Sequence, residues 1–276
     1  MDKKTFYQKG GIVMSKKNKM WLVIATSLIG VGMTIFVIAM SINGWDFSKL
    51  STVKYITNTY EINEKYTDIF LKANTADVEF AISKDGKCKV VCYEQENIKH
   101  SVQVEDGILN IKVDDQRKWY EHIGIVVGSP KITIYLPAKD YVANIRLKTS
   151  TGDVCIEDML VKTINVEVTT GDVKLTDVKC ERMVTDGSTG DVILKNVIVD
   201  DLISIERDTG DVKFNHCDAG EISVETDTGD ITGSLLTDKV FLTETDTGKI
   251  SVPKTVTGGK CELSTDTGDI KISIVD

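Results

Sequence analysis

Apolar and polar positions alternate through residues 142–276, and the alternation restarts at a fixed interval. Thr-Gly followed by Asp recurs at Gly152, Gly171, Gly190, Gly210, Gly229, Gly248 and Gly268, 19 or 20 residues apart, with Lys249 alone in place of the aspartate. Aligned on that glycine, the chain falls into columns. Two residues after it stand Val154, Val173, Val192, Val212, Ile231, Ile250 and Ile270. Four after it stand Ile156, Leu175, Leu194, Phe214, Gly233, Val252 and Ile272. Seven before it come Ile145, Ile164, Met183, Ile203, Ile222, Phe241 and Cys261, and five before it Leu147, Val166, Thr185, Ile205, Val224, Thr243 and Leu263.

A spacing of two within each pair of columns is strand periodicity, one face in and one face out. Each repeat therefore predicts two short strands joined by a Thr-Gly-Asp turn and a more variable corner. One such unit cannot bury its apolar face, whereas units stacked about 4.8 Å apart align the columns into a shared core. The expected fold is all-β: a β-solenoid of about seven two-stranded rungs over residues 142–276. The turn glycine answers a need for positive φ, which disfavours side chains.

Residues 59–141 also read as strands, at 68–82, 87–93, 101–104, 107–113 and 131–136. Asn74-Thr75-Ala76-Asp77-Val78 looks like a decayed copy of the turn, with alanine at the glycine position. This stretch is expected to be an irregular β cap on the solenoid's N-terminal edge.

A different pattern precedes it. From Met20 to Trp45 there is no charged residue, and the 22 residues from Trp21 to Ile42 are almost wholly apolar. As a helix they would extend about 33 Å, enough to cross a hydrocarbon core of about 30 Å. The expected organisation is a basic cytoplasmic stub at 1–19, a transmembrane helix at 20–42 and a tether at 43–58. Six lysines before the helix, Lys3 to Lys19, against Asp2 alone place the N-terminus in the cytoplasm and the rest outside a single-pass cell membrane anchor. A cleaved signal peptide, with Ala39 and Ser41 before the cut, is the competing reading; the apolar run is longer than an ordinary signal core.

Charge narrows the partners. Residues 142–276 carry 26 acidic and 14 basic side chains, a balance of −12, which leaves +3 for the remainder. An acidic exported domain argues against nucleic acid, whose phosphates need clustered Lys and Arg. Cys88, Cys92, Cys155, Cys180, Cys217 and Cys261 form no C-x-x-C pair and read mostly as small buried hydrophobes.

The anchor, the strand region ending at Ile132-Thr133-Ile134-Tyr135-Leu136-Pro137 and the Thr-Gly-Asp-Val repeats together resemble the bacterial "putative adhesin" family of β-strand-repeat proteins, a domain of unknown function. The resemblance covers about residues 55–276. It implies a Gram-positive cell-envelope setting, where relatives are linked with envelope-stress systems, and it carries over no catalytic residue.

The acids are the first candidates for chemistry. Asp153, Asp172, Asp191, Asp211, Asp230 and Asp269 follow the glycines; Asp208, Asp227, Asp246 and Asp266 stand two before them. Stacked carboxylates about 5 Å apart would repel, and calcium would relieve that, with Asp208, Asp211, Asp227 and Asp230 the candidate ligands. Solvated turn-capping aspartates are the other reading. His100, His122 and His216 are isolated, and no nucleophile motif appears, so no enzyme is expected. The expected role is a non-enzymatic interaction, scaffold or adhesin-like protein meeting an envelope protein or glycan. A polysaccharide-binding or polysaccharide-processing β-helix, or an accessory of an envelope-stress system, is the alternative. The final strand, with Ile270, Ile272 and Ile274, is expected to form an open C-terminal edge for self-association.

Overall fold

The computed structural model describes residues 15–46, 53–115, 117, 128–137 and 142–275. They form two units, a helical one within the first 52 residues and a β unit from Val53 onward. The helix α1, Lys16–Ile42, starts at Ser15, whose side chain accepts the Asn18 N–H at 3.3 Å. It stops at Asn43, whose amide closes on the Ala39 carbonyl at 2.8 Å, followed by Gly44 at φ +66°. Its 27 residues are long and apolar enough to cross a membrane.

The β unit begins with β1 (Tyr55–Ile62), β2 (Asp68–Lys72), β3 (Asp77–Ile82), β4 (Cys88–Gln95), β5 (Ile98–Glu105), β6 (Ile108–Asp115) and β7 (Lys131–Leu136). The repeats follow as β8 (Val142–Thr151), β9 (Val154–Thr170), β10 (Val173–Thr189), β11 (Val192–Lys195), β12 (Ile198–Thr209) and β13 (Val212–Thr228). The chain then forms β14 (Ile231–Leu235), β15 (Lys239–Thr247), β16 (Ile250–Ser251), β17 (Gly259–Thr267) and β18 (Ile270–Ile274). β1 begins at Tyr55 and pairs antiparallel with β4, so the expected tether of 43–58 is partly strand.

Neighbouring repeats pair in parallel, each residue beside the one 19 or 20 further on. Val154 lies beside Val173, Val173 beside Val192, and Val192 beside Val212. The apolar columns thereby superpose, and Ile145, Ile164, Met183, Ile203 and Ile222 are all buried. Burying one such side chain fully contributes about 1.5–3 kcal/mol. The expected pair of short strands is here often one long one: β9, β10 and β13 run straight through the variable corner. They do so by placing one residue at positive φ six positions after the turn glycine, at Asp158, Asp177 and His216 (φ 55°), while Asn196 (φ 52°) takes the same place where the corner separates β11 from β12. Asp, Asn and His are the non-glycine residues that tolerate this conformation best.

The decayed turn is a layer in its own right. β2 pairs in parallel with β8 and β3 with β9, so residues 68–82 stack directly on the first full repeat. On the opposite side β6 and β7 continue the parallel stack, while β4 joins β1 and β7 antiparallel, and β5 joins β6 antiparallel.

At the other end the stacking departs from chain order. β17 lies between β13 and β15, and β18 between β14 and β16. The last repeat is therefore inserted beneath the one before it, and Ile270 and Ile272 are buried. This corrects the expectation of an edge at the final strand: the outer layer is β15–β16, with Val240, Leu242 and Ile250 exposed. The physical reason lies in composition. The last repeat fills the inward columns with Cys261, Leu263, Ile270 and Ile272, whereas the preceding one offers Thr243 and continues into Pro253, which cannot donate to a ladder.

Candidate functional site

Along one edge of the stack the turn glycines lie in a file. Gly152, Gly171, Gly190, Gly210, Gly229 and Gly268 have φ between +130° and +158°, while Gly248, in the outermost layer, is outside the positive-φ set. A Cβ on any of the seven would run into the carbonyl oxygen of the layer beneath: Ala76 for Gly152, Gly229 for Gly268, Gly268 for Gly248.

Beside this file runs a ladder of carboxylates. The Asp153 backbone N–H donates to Asp77 Oδ1 at 3.0 Å, Asp172 to Asp153 at 2.9 Å and Asp191 to Asp172 at 2.8 Å. Asp211 donates to Asp191 at 2.9 Å, Asp230 to Asp211 at 3.0 Å and Asp269 to Asp230 at 2.7 Å. The Lys249 N–H ends the series on Asp269 Oδ1 at 2.8 Å. Each carboxylate satisfies an amide of the following layer, and charged acceptors make the stronger class of hydrogen bond. The Asp230 N–H, reinforced by Lys213 at 2.9 Å, holds the Asp211 carboxyl below its ordinary range.

This arrangement bears on the four calcium candidates. Asp211 and Asp230 each give an oxygen to the ladder, and Asp208 and Asp227 stand exposed two residues before the glycines. Among the described residues, only Cys92, Glu94 and His100 bring three donor atoms within 4.8 Å of one another. The aspartates thus sit as turn and ladder residues and not as one ligand shell. Of the six cysteines, all free, five are buried and Cys155 is half-buried. Burial pushes the Cys180 and Cys261 thiols up to about 12.

A groove of about 620 Å³ lies on the outward face of the first layers. Two rows of side chains cross it, set by the parallel register. One runs Asn110, Phe70, Arg146, Asn165, Val184; the other Asp68, Asn144, Thr163, Arg182. Lys112 Nζ stands 5.5 Å from the centre of the Phe70 ring, a cation–π distance. Asn144 donates to Asp68 Oδ1 at 2.5 Å, and Thr163 donates to Asn144. Arg182 reaches Asp201 at 3.4 Å while half its side chain stays exposed. A reading of the inward columns alone misses these positions. The signal is nevertheless present in the sequence: the groove occupies the outward columns six and eight residues before the glycine, with Ala76 taken as the glycine of the first layer.

The parallel layers, repeated turn and carboxylate ladder set the context for comparison with known proteins. A family model described as Toastrack DUF4097 matches residues 66–276. The chain belongs to the Toastrack DUF4097 family. The match begins just before β2, so the Toastrack region takes in the decayed layer as well as the seven repeats. A crystal structure from Bacteroides fragilis, named a "putative adhesin", is 22% identical with a TM-score of 0.54, covering 80% of this Toastrack chain and 97% of its own. A second "putative adhesin", from Parabacteroides distasonis, is 10% identical with a TM-score of 0.45, covering 80% and 98%. A "putative lipid binding protein" from the same organism is 15% identical with a TM-score of 0.45, covering 81% and 98%. At these identities the first likeness speaks to fold alone. No curated protein matches the chain.

Proposed function

We propose that this Toastrack chain is a single-pass membrane protein whose β unit is a β-solenoid held outside the cytoplasmic membrane. On this reading it works by binding and not by catalysis, and its ligand is an acidic envelope polysaccharide. The lysine-rich N-terminus and the apolar α1 support the topology. The parallel register of 19–20 residues supports the solenoid.

The observation that carries the ligand class is the groove. Beside a repeat region of net charge −12, Lys112, Arg146 and Arg182 line one groove together with Phe70 and three asparagines. Sugars bind by hydroxyl contacts to amides and by stacking on aromatic faces, and acidic sugars add charge complementarity to guanidinium. The surrounding acidic surface would repel a polyanion everywhere else, which orients it on this face.

The test uses the full chain in detergent micelles against an acidic and a neutral polysaccharide of matched length. Binding to the acidic one, weakened by salt, is expected, and Arg146→Ala with Arg182→Ala should weaken it roughly tenfold, about 1.4 kcal/mol. No preference for the acidic polysaccharide, or a double variant that binds as tightly as the parent, would overturn the reading.

A further inference from the structure

Inside the β4–β5 hairpin three donor side chains converge away from solvent. Cys92 and Glu94 are two residues apart in β4, hence on one face of it. His100 stands in β5, beyond the turn at Glu96 and Asn97. Cys92 and Glu94 are wholly buried and His100 is 5% exposed. One donor atom from each lies within 4.8 Å of the other two.

The carboxylate is fixed from three directions. Glu94 Oε2 accepts the His100 backbone N–H at 2.7 Å and lies 2.6 Å from His100 Nδ1. Its Oε1 accepts from Asn58 of β1 at 2.5 Å. The His100 carbonyl accepts the Tyr60 hydroxyl at 3.0 Å. With all this order around it, His100 Nε2 is buried without a hydrogen-bond partner. Native interiors rarely leave such a group unmatched, because nothing replaces the hydrogen bond it would make with water. The facing Glu94 Oε2 and His100 Nδ1 are the two atoms an ion would bridge, with Cys92 Sγ as the third donor.

We propose that Cys92, Glu94 and His100 form a buried site for one thiophilic divalent ion of the zinc class. Thiolate and imidazole together select such ions, and a thiolate, a carboxylate and a neutral imidazole bring a dication to net zero charge. Neutrality matters in an apolar interior, where an uncompensated charge is strongly disfavoured. Binding releases the Cys92 thiol proton to solvent. Without the ion that thiol stays protonated, since burial and the nearby Glu94 push it up to about 12. The ion would clip β4 to β5, and through Asn58 to β1, at the end of the stack that follows α1. That is the task disulfides perform in many exported proteins, and the six cysteines here are free.

The experiment takes the full chain in detergent micelles, reduced and stripped with a chelator, and titrates it with cobalt(II) and then zinc(II). One cobalt per chain is expected, with a thiolate-to-cobalt charge-transfer band that zinc removes, and zinc should raise Tm. Cys92→Val keeps an apolar side chain of similar size and leaves five cysteines in place; it should lose both the band and the Tm rise. Cys92→Ala provides the same comparison if valine perturbs folding. No charge-transfer band in the parent protein would overturn the site, leaving a buried Glu94–His100 hydrogen bond only. The same band and Tm rise in both Cys92 variants would also overturn it. Neither readout involves the polysaccharide groove.

Discussion

At Gly190 two requirements coincide. The backbone is at φ +132°, and a Cβ there would collide with the Gly171 carbonyl of the layer beneath. Gly86 isolates the first requirement: it has φ +71°, and a Cβ added there would meet nothing within 4 Å. Gly86→Ala should therefore cost about 1–2 kcal/mol, the conformational penalty alone. Gly190→Ala should cost more than about 3 kcal/mol, because the overlap can be relieved only by opening the ladder. Chemical denaturation of both variants checks this, and equal losses would mean that φ alone explains the glycine file. Gly187 is a glycine of another kind. It faces the fully buried Arg207 of the neighbouring layer, whose guanidinium occupies the space a side chain would need. Arg207 donates to the Val168 carbonyl at 3.3 Å and to Thr185 Oγ1 at 3.1 Å. Nothing in the local sequence marks this pair, since it links residues 20 positions apart through an inward column otherwise occupied by Thr and Val.

Among the elements, much of the layering is legible in the sequence and its order is not. Columns of Val and Ile spaced by two announce parallel stacking, and the turn dictates where each layer begins. The corner is legible too, once the residue six after the glycine is read: Asp, Asp, Asn and His share tolerance of positive φ more than they share chemistry. Stacking order is different, because any two repeats of this period superpose equally well in register. The one clue is Lys249. In the carboxylate ladder every aspartate serves the next layer's amide, and the layer of Lys249 has no layer beyond it to serve. Exposed pairs test this order directly. Glu225 and Glu244 each lie beside Ser264, on opposite sides. Glu225→Cys with Ser264→Cys, and Glu244→Cys with Ser264→Cys, should cross-link on mild oxidation, since parallel neighbours about 5 Å apart suit a disulfide. Glu225→Cys with Glu244→Cys should not, being two layers apart. Cross-linking of that third pair would restore chain order.

For the whole β unit, insertion of the last repeat changes what each segment depends on. In a stack built in chain order, removing the final repeat would shorten the rod by one layer and leave the rest paired. Here β15 pairs along its length with β17, and β16 with β18. Removing residues 259–276 therefore takes away an interior layer and strands the outer one. Residues 236–258 would then have to form new pairings with β13 and β14, with Thr243 in an inward column and Lys249 in the aspartate position. The inward faces lost are Cys261, Leu263, Ile270 and Ile272, all buried, at about 1.5–3 kcal/mol for each of the larger three. Limited proteolysis of a chain ending at Gly258 should thus cut throughout 236–258 and leave a protected fragment ending near Leu235. A chain ending at Leu235 should resist the same protease as well as the full chain does up to that point, because β13 keeps its partners β11 and β12, and β14 keeps β13. Protection of 236–258 in the longer truncation would show that β15 can stack on β13 unaided. The inserted layer would then be a preference of packing and not a requirement of the fold.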